Sequence, residues 1–278
     1  MASVGGLVAA HPAPTAKFAV IGAGVSRTGT KSFGEALSIV LGGPVHDAGV
    51  QAIVGPQEVA QRWLEVLELA SIPPSSRSDT QQYKMQWLLS ALTEGYVGTV
   101  DWPANFLTEE LLQLYPEAIV ICTTRDFDGW ARSMAVLGQM MNNWYFPILM
   151  SVVPKLSLHK RQRELWDKMV EIRYHVSSRA GENFTIATHE NYLRKKIPKE
   201  KLHFYNVQSG WGPLCEILGV EVPSCPFPYR NKGDEIQRTF RKYMCIGGAI
   251  WTGILGSALV AGWFLVRNSR LKLLKAFT

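Results

Sequence analysis

The sequence lacks the motifs that identify several common enzyme and metal-binding classes. It has four cysteines in 278 residues, none in a CxxC pair and none beside a histidine at metal-ligand spacing. Neither a zinc site nor a disulfide framework is predicted from such a pattern, and we expect reduced thiols and no bound metal. A GxSxG turn is also missing, which argues against serine hydrolase chemistry.

The chain also lacks a strong excess of charge. Its net charge is +6, and charged residues make up 19% of the sequence while hydrophobic residues make up 47%. This composition is that of a folded protein. The basic residues are spread out, and some cluster beside an apolar segment. Anionic small molecules and lipid headgroups are therefore the expected partners, and nucleic acid is not.

No charged n-region followed by an apolar run is found at the N-terminus, so no signal peptide is predicted, and residues 1–16 are expected to be a flexible lead-in. The other end differs, because residues 244–266 contain no charged side chain. About 20 apolar residues span a bilayer as a helix. We therefore predict a membrane anchor and basic tail over 236–278, with a single transmembrane helix at 244–266 and the globular part in the cytosol.

Short β-branched runs alternate with longer helical stretches between residues 17 and 235, which predicts one α/β domain built on a parallel sheet with helices on both faces. The predicted strands are Lys17–Ile21, Tyr96–Val100, Ala118–Thr123 and Phe184–Ala187. Residues 139–165 are rich in large apolar side chains. Helical core and a lid over a lipophilic acceptor are both open interpretations of that stretch.

A phosphate-binding loop is predicted where the first strand runs into a helix. The loop is SRTGTKS, residues 26–32, which follows the small residues of Gly22–Gly24. A turn that opens a helix presents unpaired backbone N–H groups and the positive end of the helix dipole. Hydroxyl and cationic side chains add donors for an anion; they are those of Ser26, Arg27, Thr28, Thr30, Lys31 and Ser32, with Gly29 at the turn.

Two familiar nucleotide motifs do not match this loop. A dinucleotide fingerprint needs glycine where Arg27 stands, and a Walker A loop needs lysine directly after Gly29, where Thr30 stands. The loop SRTGTKS instead resembles the 5′-phosphosulfate loop of sulfotransferases that use 3′-phosphoadenosine 5′-phosphosulfate (PAPS). The longer stretch VSRTGTKSFGEAL, with GPVHD after it, is most similar to sulfotransferase-like P-loop proteins common in fungi.

The resemblance extends over about residues 17–235 and implies roles for further residues. Arg125 and Ser133, in TTRDFDGWARSM, are spaced like the pair that holds the 3′-phosphate of PAPS, although Arg125 could instead pair with a neighbouring aspartate. The resemblance implies that Tyr205 contacts the adenine of PAPS. It also implies that Arg230, in a basic loop, binds the 3′-phosphate. Arg27 or Lys31 is implied to stabilise charge on the bridging oxygen.

Asp101 stands where cytosolic sulfotransferases have their histidine base, in YVGTVDWPANF. A carboxylate can act as a general base when its environment suits the task. Aspartate before proline is also a common helix N-cap, and both interpretations stay open. His46, in GPVHDAG, has two open interpretations as well: a structural loop histidine near the start of the next strand, or a residue with a second acid/base or acceptor-orienting role.

The resemblance implies a transferase that moves a sulfonyl group from PAPS to a hydroxyl of a small acceptor in secondary metabolism, without a metal. The predicted membrane anchor and the apolar stretch 139–165 suggest that this acceptor is lipophilic. Two alternatives remain: a biosynthetic tailoring enzyme of the same fold that no longer uses PAPS, and a non-catalytic, membrane-tethered nucleotide-binding protein.

Overall fold

A parallel sheet of five strands forms the centre of the protein, whose computed structural model describes residues 3–4, 6–176, 184–229 and 233–276. The order of strands across the sheet is β4-β5-β3-β6-β7. In chain order the strands are β1 (Ser3–Val4), β2 (Leu7–Val8), β3 (Val20–Gly22), β4 (Val45–Asp47), β5 (Gly98–Val100), β6 (Ile119–Thr123) and β7 (Leu202–Tyr205).

Helices cover both faces of this sheet. They are α1 (Thr30–Val40), α2 (Ala48–Val54), α3 (Gln57–Ala70), α4 (Asp79–Thr93), α5 (Thr108–Leu114), α6 (Phe127–Met141), α7 (Tyr145–Ser151), α8 (His159–Tyr174), α9 (Ile186–Lys196), α10 (Trp211–Leu218) and α11 (Gly233–Ala276). Because side chains alternate along a strand, Val20 faces α1 and α10 while Ile21 faces the core under α3, α4 and α8. The predicted fold class is confirmed.

The strand predictions succeeded at the centre of the sheet and failed at its edge. Strands β3, β5 and β6 overlap the predicted stretches. The predicted strand Phe184–Ala187 is wrong, because α9 begins at Ile186 and the Thr185 hydroxyl caps it by accepting from the Thr188 N–H at 3.1 Å. The edge position belongs instead to β7, which pairs in parallel with β6.

The predicted flexible lead-in is wrong for the described part of residues 1–16. Strands β1 and β2 form a hairpin, and Leu7 is buried against α2. The Ala10 carbonyl accepts hydrogen bonds from Gln51 at 2.5 Å and from the Tyr96 hydroxyl at 3.0 Å. This segment is apolar enough to pack, so it covers the end of α2 instead of extending into solvent.

Helix α11 runs without interruption from the domain into the apolar C-terminal segment. Its first turns pack on the domain: Phe240 and Tyr243 are buried, and the Thr239 hydroxyl donates to the Val4 carbonyl at 2.8 Å. Among the described residues, one helical stretch, Glu235–Arg267, is long and apolar enough to cross a membrane. Its most apolar window has a mean hydropathy of 1.8 and is not buried in the protein, unlike a core helix.

Candidate active site

A cavity of about 890 Å³ opens where the five parallel strands end. Residues in the loops that follow the strands line it: Ser26 after β3, Asp101 after β5, Arg125 after β6 and Val207 after β7, with Asp47 at the end of β4. Ligands of open α/β sheets bind in the crevice at the carboxyl ends of the strands. The volume is in the range of small-molecule sites, about 300–1,000 Å³.

The predicted phosphate loop wraps one end of this cavity. Arg27 and Gly29 both have positive φ, 76° and 94°, and alternating turns of this kind direct successive N–H groups toward one point. Thr28 fixes the turn, since its hydroxyl donates to the Val25 carbonyl at 2.7 Å and lies 2.6 Å from the Thr123 hydroxyl. The Thr28 side chain therefore holds the turn, although its place in the loop predicted it to be an anion donor.

Helix α1 begins at the loop, so its N-terminus faces the cavity. Gly29 precedes the first helical residue, and its carbonyl accepts from the Phe33 N–H at 3.0 Å. Lys31 and Ser32, in the first turn, both line the cavity. The amide groups at the helix N-terminus, the helix dipole and the Lys31 ammonium together make this end attractive to an anion.

Gly24 allows the strand end and the loop to lie against β6. A Cβ on Gly24 would overlap the Thr123 hydroxyl and lie 2.7 Å from the Thr123 amide nitrogen. We expect Gly24→Ala to lower the free energy of unfolding by about 1–3 kcal/mol, the usual cost of overpacking. Thermal unfolding of the full chain in detergent measures this. Gly212→Ala, at a helical position with open space around its Cβ, is the control, and equal melting temperatures for both variants would contradict the prediction.

Asp101 is bonded to the phosphate loop. Its carboxylate accepts from the Ser26 hydroxyl, from the Thr30 hydroxyl at 3.1 Å and from the Trp102 N–H at 2.7 Å. Asp101 is not a helix cap, because the next short helical turn, Ala104–Phe106, is preceded by Pro103. The structure therefore contradicts the interpretation of Asp101 as a helix cap, and it places Asp101 in the wall of the cavity. The Ser26 and Thr30 hydroxyls donate to Asp101, whereas the sequence suggested an anion as their partner.

A second group of polar residues lies at the junction of the loop and α6. The Arg27 Nε donates to the Ser133 hydroxyl at 2.8 Å, and Arg125 donates to the Arg27 carbonyl at 3.1 Å. Arg125 also lies 3.9 Å from the exposed Asp126 carboxylate, a loose ion pair. The structure thus brings together Arg125 and Ser133, the residues implied for the 3′-phosphate, and adds Arg27 to them.

Arg27 is half-buried and Arg125 is exposed, and their like charges repel each other. Burial lowers the pKa of Arg27, and Arg125 lowers it further, while the Asp101 carboxylate acts in the opposite direction. A bound anion would relieve this repulsion. The arrangement therefore suits a phosphate or sulfate group between the two arginines.

Other residues implied by sequence lie elsewhere. Tyr205 is buried between Phe33 and Phe227, and its hydroxyl donates to the Gly210 carbonyl at 2.7 Å. It does not line the cavity, so the structure gives no support to a contact with adenine. Arg230 is outside the described residues.

His46 belongs to the core and not to the cavity wall. Its Nε2 accepts from the Trp63 indole N–H at 3.3 Å, and its ring packs edge-on against Tyr96. Burial lowers the pKa of His46 to about 3. The structural interpretation of His46 agrees with this placement, and the acid/base interpretation does not.

Three residues that the sequence did not place at the site hold the loop, and the end of the strand before it, in position. Trp130 donates from its indole to the Ser26 carbonyl at 3.0 Å, and Val207 fills the space above Gly29, 2.5 Å from where a Cβ would lie. His189 is buried with its Nε2 2.6 Å from the Ala23 carbonyl, and the Tyr174 hydroxyl lies 2.7 Å from its Nδ1. Because a carbonyl only accepts, Nε2 carries the proton and Nδ1 accepts from Tyr174.

The buried histidines should make stability depend on pH. Burial lowers the pKa of His189 to about 4, so between pH 6.5 and 4 the unfolded chain binds a proton that the folded chain does not, and the free energy of unfolding falls as pH falls. His189→Gln should reduce that slope by about 1.4 kcal/mol per pH unit in this window. Denaturant unfolding at several pH values measures it. His11→Gln, an exposed site, is the control, and an unchanged slope in His189→Gln would contradict the prediction.

The other end of the cavity is mainly apolar. Its wall contains Met134, Leu137 and Met141 of α6, Phe106, Trp166 and Phe184 from the core side, and Ile236 and Phe240 of α11. The polar exceptions are Asn142, Lys155 and, on α8, His159, Gln162 and Arg163. Burial together with Arg163 lowers the pKa of His159. A ligand with a large apolar body and few polar groups matches such a surface.

Comparison with known proteins gives two relationships. Residues 19–236 match the family model described as a sulfotransferase domain. The chain is also 30% identical over 198 residues to "Ava biosynthesis cluster protein M" of Aspergillus versicolor, a match that covers 63% of this chain and 74% of that protein. The range that the family model matches includes the predicted phosphate loop, Asp101, Arg125 and Ser133. The protein is thus a transferase that belongs to the sulfotransferase domain family.

Proposed function

We propose that the protein transfers the sulfonyl group of PAPS to a hydroxyl group of a small lipophilic acceptor, while α11 anchors it to a membrane. One observation carries this proposal. A single cavity joins an anion-binding end, formed by the α1 N-terminus, Arg27, Lys31 and Arg125, to an apolar end, with Asp101 bonded to the loop at the anion-binding end. The family membership supports sulfonyl transfer in general terms.

The residues that would hold PAPS fall into two groups. The loop amides and Lys31 would bind the 5′-phosphosulfate, because they face the cavity at the start of α1. Arg125, Ser133 and Arg27 would bind the 3′-phosphate, because charge-assisted hydrogen bonds from guanidinium groups suit phosphate oxygens. We therefore assign Arg27 to the 3′-phosphate rather than to the bridging oxygen, and Lys31 to the charge that develops there.

Asp101 would act as the general base. It accepts the proton of the acceptor hydroxyl, whose oxygen then forms the new bond to sulfur while the bond from sulfur to the bridging phosphate oxygen breaks. PAPS supplies the sulfonyl group, and 3′,5′-ADP leaves with the electron pair. Lys31 and the amides at the α1 N-terminus stabilise the negative charge that appears on the leaving oxygen.

The acceptor class follows from the apolar end of the cavity and from the relative. That relative's name places it in a biosynthesis cluster, so we propose that this chain also modifies a product of specialised metabolism. A lipophilic hydroxyl compound would occupy the wall of α6 and α11 side chains. Helix α11 would hold the enzyme where such compounds concentrate.

Titration calorimetry with the full chain in detergent tests the donor. We expect 3′,5′-ADP to bind about 10–100-fold more tightly than 5′-AMP, because hydrogen bonds to a charged group contribute about 1.5–3 kcal/mol. Labelled PAPS with a lipophilic fungal extract should then give a labelled organic product. No binding of 3′,5′-ADP would overturn the proposal. It would favour a tailoring enzyme of the same fold that does not use PAPS, an alternative motivated by aspartate at position 101.

A further inference from the structure

A stretch without any charged side chain forms an exposed surface beside the membrane anchor. Residues 133–154 contain no Asp, Glu, Lys, Arg or His, and they form most of α6 and all of α7. One face of α7 packs inward through Phe146 and Met150. The opposite face leaves Trp144, Tyr145 and Ile148 exposed, Trp144 by 77%. Exposed apolar clusters of this kind mark interaction surfaces.

Helix α7 contacts α11 at the beginning of its apolar stretch. Gly247 permits a close approach, since a Cβ there would lie 2.9 Å from the Leu149 carbonyl carbon. The Trp251 indole N–H donates to the Ile148 carbonyl at 2.8 Å. Such a bond satisfies a donor that hydrocarbon would leave unpaired. The two helices are thus fixed to each other within the segment 244–266.

The position of these contacts sets the depth of α7. A helix rises 1.5 Å per residue, so Gly247 and Trp251 lie about 4.5 and 10.5 Å beyond residue 244 along α11. If the bilayer begins near residue 244, the part of α7 that touches these residues lies within its outer layer. The exposed face of α7 then lies in the same layer, because nothing described in the protein covers it.

We propose that α7 is an interfacial membrane helix that inserts Tyr145 and Ile148, together with Trp144 at its N-cap, into the lipid bilayer beside α11. This inference rests on the membrane anchoring proposed above and not on the sulfonyl-transfer chemistry. Tryptophan and tyrosine favour the membrane–water interface. Arg238, Arg241 and Lys242 are exposed on α11 just before the apolar stretch, where they would meet anionic headgroups.

Insertion of α7 would place the apolar end of the cavity next to the lipid. Leu137 and Met141, at the end of α6, line the cavity directly before α7. Phe240 of α11 also lines it, and its ring packs on Phe146 of α7 at 5.5 Å. The helices that would touch the bilayer therefore also form the acceptor wall. A lipophilic acceptor could enter from the membrane without crossing water.

Fluorescence quenching by brominated lipids tests whether α7 inserts into the bilayer. The full chain is reconstituted in two kinds of phosphatidylcholine vesicle, one plain and one with bromine high on the acyl chains. The quenched emission is the tryptophan fluorescence in plain vesicles minus that in brominated vesicles. Trp144→Phe should lower this quenched emission. Trp263→Phe, in the anchor, should lower it as well, and Trp87→Phe, at an exposed site on α4, should leave it unchanged.

The three variants separate the possible failures. If Trp263→Phe lowers the quenched emission and Trp144→Phe does not, α7 is not inserted but α11 still anchors the protein. That result is expected if a second copy or another protein covers α7. No loss in either variant would overturn both the anchor and the inference. Calorimetry with 3′,5′-ADP on each variant reports the folded site independently and tests the donor proposal separately.

Discussion

Asp101→Asn is expected to lower the rate of sulfonyl transfer by about 10²–10⁴-fold, the usual contribution of a positioned general base. Asparagine has nearly the same shape as aspartate, and its carbonyl oxygen can still accept from Ser26 and Trp102. The phosphate loop should therefore keep its conformation. The affinity for 3′,5′-ADP should change little, since Asp101 donates nothing to the anion. Transfer is measured as the formation of labelled product from PAPS in the presence of the lipophilic extract.

Asp128→Asn is the matched control for this variant. It removes the same charge from an exposed position in the first turn of α6, and Asp128 does not line the cavity. Its transfer rate should equal that of the unmodified protein. If Asp101→Asn keeps a normal rate, Asp101 is not the base. If Asp101→Asn instead loses 3′,5′-ADP binding, its role is to hold the loop and not to move a proton.

The position of the loop of residues 26–32 at one end of the cavity could be predicted from the sequence because its determinants are local. A glycine at a tight turn, a helix start and the cations of residues 26–32 lie next to one another in the chain. Their backbone consequences need no knowledge of distant residues. The expectation that Asp101 and Arg125 lie nearby was also sound, since residues after parallel strands meet at one edge of the sheet.

The individual side-chain partners could not be predicted in the same way. Ser26 donates to Asp101 across 75 residues of sequence, and Arg27 donates to Ser133 across 106. Each hydroxyl of the loop has several partners of suitable chemistry. Only the packed structure decides between them, and it assigns two of them to Asp101 and buries Thr28 against Thr123. The sequence therefore located the loop but did not reveal the partners of Ser26, Thr28 and Thr30 within the protein.

Tyr205 and His46 show a different limit. Both residues lie on strands of the sheet, and the sequence therefore predicted that both would lie near the site. Whether a strand residue faces the cavity or a core depends on which face its side chain takes and on which helices cover that face. Tyr205 faces the cluster around Phe33, and His46 faces Trp63. Strands of three or four residues give too short an alternation for this to be inferred from the sequence.

Arg27→Ala is expected to weaken binding of 3′,5′-ADP by about 10–100-fold, because it removes a charge-assisted contact that contributes about 1.5–3 kcal/mol. Position 27 has a positive φ, which is unfavourable for arginine and alanine alike, so the backbone effect should be small. Binding of 5′-AMP should change much less, because Arg27 is assigned to the 3′-phosphate. Calorimetry with both nucleotides gives this comparison.

A double-mutant cycle of Arg27 and Ser133 tests the assignment of Arg27 to the 3′-phosphate more sharply. Arg27 and Ser133 share a hydrogen bond of 2.8 Å, and residues in one network show coupling energies of about 0.5–3 kcal/mol in double-mutant cycles. We expect Arg27→Ala and Ser133→Ala to be less than additive in their effect on 3′,5′-ADP affinity, because either change disrupts the same phosphate contact. Arg132→Ala, exposed and next to Ser133 in the chain, is the control for lost positive charge. If Arg132→Ala weakens binding as much as Arg27→Ala does, general electrostatic attraction accounts for the effect and the assignment of Arg27 to the 3′-phosphate is wrong.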